Sequence, residues 1–407
     1  MSGNVGLIII LGALTALGPL SNDAYLPSWP QLAADLSATP SAVQLSLTAC
    51  LVGLGVGQMI AGPLSDRFGR RGPLLVGLLL YTVTSVLCAF APSIWLLIVL
   101  RLLQGFGGAT GIVIAAAIVR DRHVGAAAAK YFSMLLLVTG LAPVLAPVIG
   151  GQLLRFTTWP GIFIALAAAG GLMVVAVALG LRETLPPERR DAGGLKSILP
   201  TFGRLLSDRV FVGYGLACGF GFGAMFAYIA GSPFVLQEIH GLSPQAYSAV
   251  FAVNAFGLVI AAQVSGRIVH RVNPRALLGA GVAASAAGGL VVLAAVLADL
   301  GLVALLIGLF VVVASVGLIM PNSMALALND HGAVAGSAAA LIGLVQHLLG
   351  AVAAPFAGVA GAVNALPMAV TITVLGVAAL LSFAVLARKR KDVPVDSAAP
   401  VALAGQD

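Results

Sequence analysis

The stretch Gly57-Gln58-Met59-Ile60-Ala61-Gly62-Pro63-Leu64-Ser65-Asp66-Arg67-Phe68-Gly69-Arg70-Arg71 decides the fold. An apolar run leads into it, a carboxylate and three arginines crowd its end, and a second apolar run leads out from residue 73. Gly62 lets neighbouring helices approach, Asp66 accepts at a helix end and can pair with a nearby arginine, and Gly69 permits a tight turn. So short a polar turn between two such runs joins two membrane spans. Outward from it, runs near the ~20 residues needed to cross a hydrocarbon core recur along the chain. They fall at about 5–27, 42–64, 73–91, 94–118, 128–152, 160–181, 210–234, 244–268, 275–297, 300–327, 334–360 and 365–386. Hydrophobic residues make up 60% of the 407 and charged ones 9%, against roughly a quarter charged in soluble domains. That composition excludes a soluble fold and predicts an all-α membrane protein of twelve spans.

The N-terminus has no basic residue and the first run ends at Tyr25-Leu26-Pro27 without a small-residue cleavage site, so the first span is expected to be retained. All lysines and arginines except Arg101 and Arg155 fall in alternate loops or at the C-terminus, which predicts that both termini are cytoplasmic. This bias accounts for the net charge of +7 without nucleic-acid binding. Cys50, Cys88 and Cys218 lie inside apolar runs without metal-ligand spacing and read as packing residues. The longest polar stretch carries Pro186-Pro187 and Gly193-Gly194. It divides the chain into a six-helix bundle over 1–181, a linker over 182–209 and a second bundle over 210–386, with a tail over 387–407 expected to be disordered. A shift of 204 residues carries Gly62 onto Gly266, Arg67 onto Arg271 and Arg71 onto Arg275, which favours two parallel repeats.

Three constellations carry chemistry. Arg101 sits inside the fourth span, where a charge is costly and normally faces a cavity or a partner, and Gln104 shares its helical face. Asp23, the one acidic residue placed inside a span, is expected ~6 Å from the outer end of span 1, with Arg101 ~10 Å from the outer end of span 4. The two can pair, making Asp23 a proton-coupling residue; the structural alternatives are a cap at the helix end and, for Arg101, a packing counter-charge. In the fifth span Pro143 and Pro147 bend the helix while Gly150 and Gly151 allow close contact with a partner; an ordinary proline kink is the alternative. Phe222, Met225 and Tyr228 in the seventh span read either as a forgiving apolar pocket or as helix packing, and Asn254 and Gln346 as polar groups facing the cavity or a neighbouring helix.

The stretch over 57–71 resembles the loop signature of the major facilitator superfamily. The resemblance implies that Gly62, Asp66, Arg67, Gly69, Arg70 and Arg71 form a gating loop, a charge latch that holds the outward-facing state and breaks as the halves rock. In the second half His270 replaces Asp66 and Asn273 replaces Gly69, so a latch there is expected to be weaker or absent. The fifth span resembles the antiporter motif of the drug-exporting branch, with Ala146 where Gly is commoner. Asp23-Ala24-Tyr25-Leu26-Pro27, Gln44, Arg101 with Gln104, the double Ala-Pro of span 5, Pro321-Asn322 and the run from Ala335 to Leu341 followed by Gln346 look like the bicyclomycin/chloramphenicol-resistance (Bcr/CflA) subgroup of drug:proton antiporters.

The expectation is a proton-coupled exporter of small hydrophobic or amphipathic compounds in the inner membrane, working as a monomer by alternating access. Asp23 and Arg101 are the coupling pair; Tyr25, Gln44, Gln104, Phe222, Met225, Tyr228, Asn254 and Gln346 are the candidate substrate contacts. No nucleotide-binding Gly-x-x-x-x-Gly-Lys-Ser/Thr stretch occurs, so the energy source is an ion gradient and no cofactor or metal is expected. A symporter importing a metabolite on the same fold is the first alternative. An intramembrane enzyme is the second, although His347 has no evident nucleophile or metal partner.

Overall fold

The computed structural model describes residues 2–123, 125–190, 198–329, 331, 334–358 and 364–387, which are overwhelmingly helical. The first group of long helices is α1 (Ser2–Asp23), α3 (Pro40–Phe68), α4 (Arg71–Ala89), α5 (Ile94–Arg122), α6 (Gly125–Leu153) and α7 (Trp159–Gly180), with the short α2 (Trp29–Asp35) after α1. The helix α8 (Ile198–Ser207) leads to the second group: α9 (Arg209–Phe234), α10 (Pro244–Ile268), α11 (Pro274–Leu297), α12 (Gly301–Asn329), α13 (Ala335–Phe356) and α14 (Leu366–Leu381). Eleven segments among the described residues are long and apolar enough to cross a membrane, and α6, with 29 residues, has the length.

Local sequence fixes the helix starts. Thr39 accepts from the Ala42 N–H at 3.3 Å with Pro40 in the first turn, and Ser243 accepts from the Ala246 N–H at 3.2 Å with Pro244 next. Asp208 caps α9 and Asn273 caps α11 in the same way.

Two predicted elements differ from the structure. The span expected over 5–27 breaks at Asp23, turns through a 3₁₀ segment at Leu26–Ser28 and resumes as α2. Pro27 has no N–H for the carbonyl of Asp23, so the α-helical ladder stops there. Secondly, the stretch expected as a polar linker over 182–209 contains α8, in which Ile198, Phe202 and Leu205 recur at helical spacing. Leu205 is buried, with Phe202 packed beside it against residues of α9 and α13, while Leu206 is exposed. Residues 191–197 of that linker, the tail from 388 with its basic run, and the side chains of Lys130, Ala335 and Gly336 lie outside the described residues.

Helix pairing repeats between the two groups. α3 packs along α5, α4 along α5 and α7, and α1 along α6; α10 packs along α12, α11 along α12 and α14, and α9 along α13. Arg71 donates to the carbonyl of Ala178 at 2.6 Å near the end of α7, and its counterpart Arg275 donates to the carbonyl of Ala387 just beyond α14. Across the groups, α6 meets α10 and α3 meets α13.

The buried core has three parts. One is shared by both groups and joins Tyr25, Trp29, Leu47 and Trp159 to Phe234, Tyr247 and Phe251 at the end away from the basic loops. At the basic end each group keeps its own core, around Leu11, Leu78 and Ile118 in the first and around Phe211, Leu278 and Ile319 in the second. The halves are therefore joined at one end of the bundle.

Candidate functional site

Asp23 is 5% exposed and Arg101 fully buried. Ala24, Tyr25, Leu26 and Trp29, which follow Asp23, are buried too, so the segment around it is enclosed by packing. The expected direct pair is absent: the described ion pairs of the buried arginines belong to Arg70, and Arg101 instead lies over the Tyr25 ring at 4.4 Å and the Phe163 ring at 5.8 Å. The turn forced at Pro27 inserts Tyr25 beside the guanidinium, where ring quadrupoles offset part of the cost of burying it. Arg101 donates through Nη1 to Gln104 at 2.5 Å, and Gln104 donates to Ser85 at 2.7 Å. Nε and Nη2 of Arg101 have no hydrogen-bond partner among the described residues. Asp23 lies within electrostatic reach of Arg101.

The other expected contacts disperse. Tyr25 bonds Ser46 at 3.0 Å. Gln44 is fully buried and donates to the Ala230 carbonyl of α9 at 3.0 Å, so it ties the halves together rather than facing an open cavity. Tyr228 accepts from Asn254 at 2.9 Å, and Gln346 donates to the Cys218 sulfur at 2.8 Å; each has its partner within the second half. Phe222 lies 4.6 Å from Phe226 and 5.7 Å from the His347 ring, and with Met225 packs against the shared core.

Two further side chains join Gln44 in bridging the halves at the end where the core is shared. Thr48 donates to the Ala351 carbonyl at 3.0 Å and Gln245 to the Gly151 carbonyl at 2.8 Å. Both acceptors are released by their own helices. Pro355, four residues past Ala351, has no N–H, and the N–H of Arg155 turns to Gln152 instead of Gly151. Sequence reading missed Thr48 and Gln245, although the Pro355 position marks one freed carbonyl. Gly150 packs against the Ala24 carbonyl, and Gly151 against Ser248 and Pro244 of α10; a side chain at either would force these elements apart. Pro147 is buried and Pro143 half-buried within α6.

At the basic end Arg70 gathers the polar groups. It reaches Asp66 at 2.5 Å and Asp121 at 2.8 Å, and its backbone N–H donates to Glu183 at 2.8 Å. Burial alone would lower the Arg70 guanidinium, but Asp121 and Asp66 outweigh it and raise it above its ordinary value. Partial burial pushes the Glu183 carboxyl up, yet the N–H groups of Leu185, Arg70, Arg71 and Thr184 outweigh this and hold it below the usual carboxylate range. Gly69 has φ +91°, and a side chain there would strike the Glu183 carboxylate. Gly62, expected to permit close helix approach, does not: a Cβ there would sit 3.7 Å from Val113, an ordinary contact. Arg67 is exposed over the Phe68 ring at 5.2 Å. Asp121 and Glu183 were not singled out in the sequence; their signal was an acidic residue beside arginines in a basic loop. In the second half Asn273 caps Arg275 and His270 is exposed, and no ion pair joins them among the described residues.

Comparison with known proteins fits this geometry. The sequence profile described as Major Facilitator Superfamily matches residues 11–355. The chain is 43% identical over 348 residues to the uncharacterized MFS-type transporter YdgK of Bacillus subtilis, covering 85% of this chain and 87% of that protein. It is 32% identical to the bicyclomycin resistance protein homolog of Haemophilus influenzae, covering 84% and 86%, and 30% identical to a chloramphenicol resistance protein of Pseudomonas aeruginosa, covering 82% and 79%. Among solved structures, a bacterial homolog of the lysosomal transporter Spinster in an inward-facing conformation aligns at TM-score 0.72 with 17% identity, over 93% of this chain and 96% of that one. The xylose transporter XylE of E. coli, in a partially occluded inward open conformation, aligns at 0.70 with 14% identity, over 95% and 98%. With twelve long helices among the described residues, paired twice over and joined at one end, the chain belongs to the major facilitator superfamily, in its bicyclomycin/chloramphenicol-resistance subgroup.

Proposed function

We propose that the protein exports small hydrophobic or amphipathic drug-like compounds across the inner membrane in exchange for protons, by alternating access. The observation that carries this reading is the placement of Asp23 and Arg101. Both are buried, and Ala24 and Tyr25 beside them belong to the core shared with Tyr228 and Tyr247 of the opposite half. A change in the Asp23 charge therefore acts on both halves at once, which is what coupling requires. With the basic loops on the cytoplasmic side, both termini are cytoplasmic, and a shared core at the other end corresponds to an inward-facing state closed to the outside. The names of the relatives, bicyclomycin and chloramphenicol resistance proteins, support the substrate class. The proton gradient is the energy source, no cofactor is needed, and one chain suffices.

The test is proton flux from inverted vesicles preloaded with a proton gradient, with chloramphenicol-like and cationic compounds added to wild type and Asp23→Asn. A compound is expected to dissipate the gradient in wild type and not in the variant. If the variant matches wild type, Asp23 is not the coupling residue. Proton uptake seen only in right-side-out vesicles would mark an importer instead.

A further inference from the structure

We propose that the slot between α3 and α4 at the basic end binds an anionic phospholipid, its acyl chain in the slot and its phosphate against Arg67. α3 and α4 each pack along α5 but scarcely touch each other, leaving an apolar slot of about 340 Å³. Leu64 and Phe68 of α3 form one wall, Val76 and Leu80 of α4 the other, and Phe106 and Thr110 of α5 the floor. The Thr110 hydroxyl donates to the Gly107 carbonyl at 2.7 Å, so the floor presents no donor that would call for a polar guest. A hydrocarbon chain in this slot gains dispersion contacts with its apolar lining and strands no polar group.

Charge selects the other end of the ligand. Phe68 is both a slot wall and the ring beneath the Arg67 guanidinium, 5.2 Å away, so the exposed cation lies beside that wall. The carboxylate next to it in sequence, Asp66, is engaged by Arg70, and no carboxylate pairs with Arg67 among the described residues. An apolar slot with a cation beside its wall matches an amphiphile with an anionic head, and basic pockets between membrane helices recruit such headgroups. That the slot opens to the cytoplasmic leaflet rests on the orientation proposed above; the slot and its cation do not.

The experiment uses the full chain in phosphatidylcholine nanodiscs doped with phosphatidylglycerol carrying a photoreactive tail, with adducts mapped by peptide mass spectrometry. Adducts are expected to concentrate in residues 60–80, to be competed by unlabelled phosphatidylglycerol but not by extra phosphatidylcholine, and to fall several-fold in Arg67→Glu and Arg67→Ala. Arg67→Lys, which keeps the charge, should retain them, separating a headgroup contact from a purely structural role of the arginine on Phe68. Adducts spread evenly over the lipid-facing helices, equal competition by phosphatidylcholine, or labelling unchanged in folded Arg67→Ala would each overturn the proposal and leave ordinary surrounding lipid. Because nothing is transported in this assay, its outcome is independent of whether the chain exports drugs.

Discussion

Replacing Thr48 by Val tests how the halves are held together. The substitution keeps the shape and removes only the hydroxyl that donates to the Ala351 carbonyl at 3.0 Å. Pro355 gives that carbonyl no ladder partner, so the closed state is left with an acceptor that no helix bond can take over. A buried polar group stripped of its partner costs about 1–3 kcal/mol. On opening, the carbonyl regains water, so the loss falls on the closed state alone and shifts the equilibrium by roughly 5–150-fold. If about 1% of molecules are open at that end in wild type, the variant should hold between about 5% and 60% there. Spin labels at Gln31 and Glu238, both exposed at this end on opposite halves, read the populations as a distance distribution. Thr48→Ser keeps the hydroxyl and should match wild type. An unchanged distribution in Thr48→Val, or an equal change in Thr48→Ser, would refute the reasoning that this bond holds the closure.

Further outcomes follow from other contacts. Arg101→Lys keeps the charge but loses the planar group over Tyr25 and the fixed fork to Gln104. It should lower stability by about 0.5–2 kcal/mol, and unaltered thermal unfolding in detergent would contradict that. Gly151→Ala drives a methyl into Ser248 and should abolish transport; adding Ser248→Gly removes the obstacle and should restore part of it, whereas no rescue would place the defect elsewhere. Because the Glu183 carboxyl is held below its ordinary range, its contribution is complete above the unfolded value near 4.5 and is lost as pH falls through the lower folded value. Hydrogen exchange at the Arg70 and Arg71 amides should accordingly lose protection in that acid window, and Glu183→Gln should flatten the response; equal pH dependence in both proteins would show that another group controls the turn.

The double pairing of the helices also explains how the two loops after α3 and α10 diverged. Each keeps an arginine, Arg71 or Arg275, that ties the loop to the end of the last helix in its half. Among the described residues only the first adds a carboxylate network around Arg70, with Asp66, Asp121 and Glu183 drawn from three separate places in the chain. With the halves apart at this end, Asp66 pairs within its own half. The nearby arginine expected to pair with Asp66 is Arg70 of the same loop.

By itself the sequence determined the class of fold, because hydrophobic length and loop charge are local quantities that a bilayer reads directly. The helix starts at Thr39, Asp208, Ser243 and Asn273 and the left-handed turn at Gly69 belong to the same kind of information, as does the pairing of Arg101 with Gln104 one turn away. Tertiary structure alone decided who meets whom across the chain. Asp23 and Arg101 have compatible depths, yet the break at Pro27 swings Tyr25 onto the guanidinium and replaces an ion pair with a ring face. Gln44 looked like a pocket residue because a polar side chain in a span must find a partner, and its partner is a carbonyl 186 residues away. Hydrogen bonds to backbone carbonyls carry no residue-type signature in the acceptor, so the contacts of Gln44, Thr48 and Gln245 that close one end of the bundle became visible only once the halves were packed together.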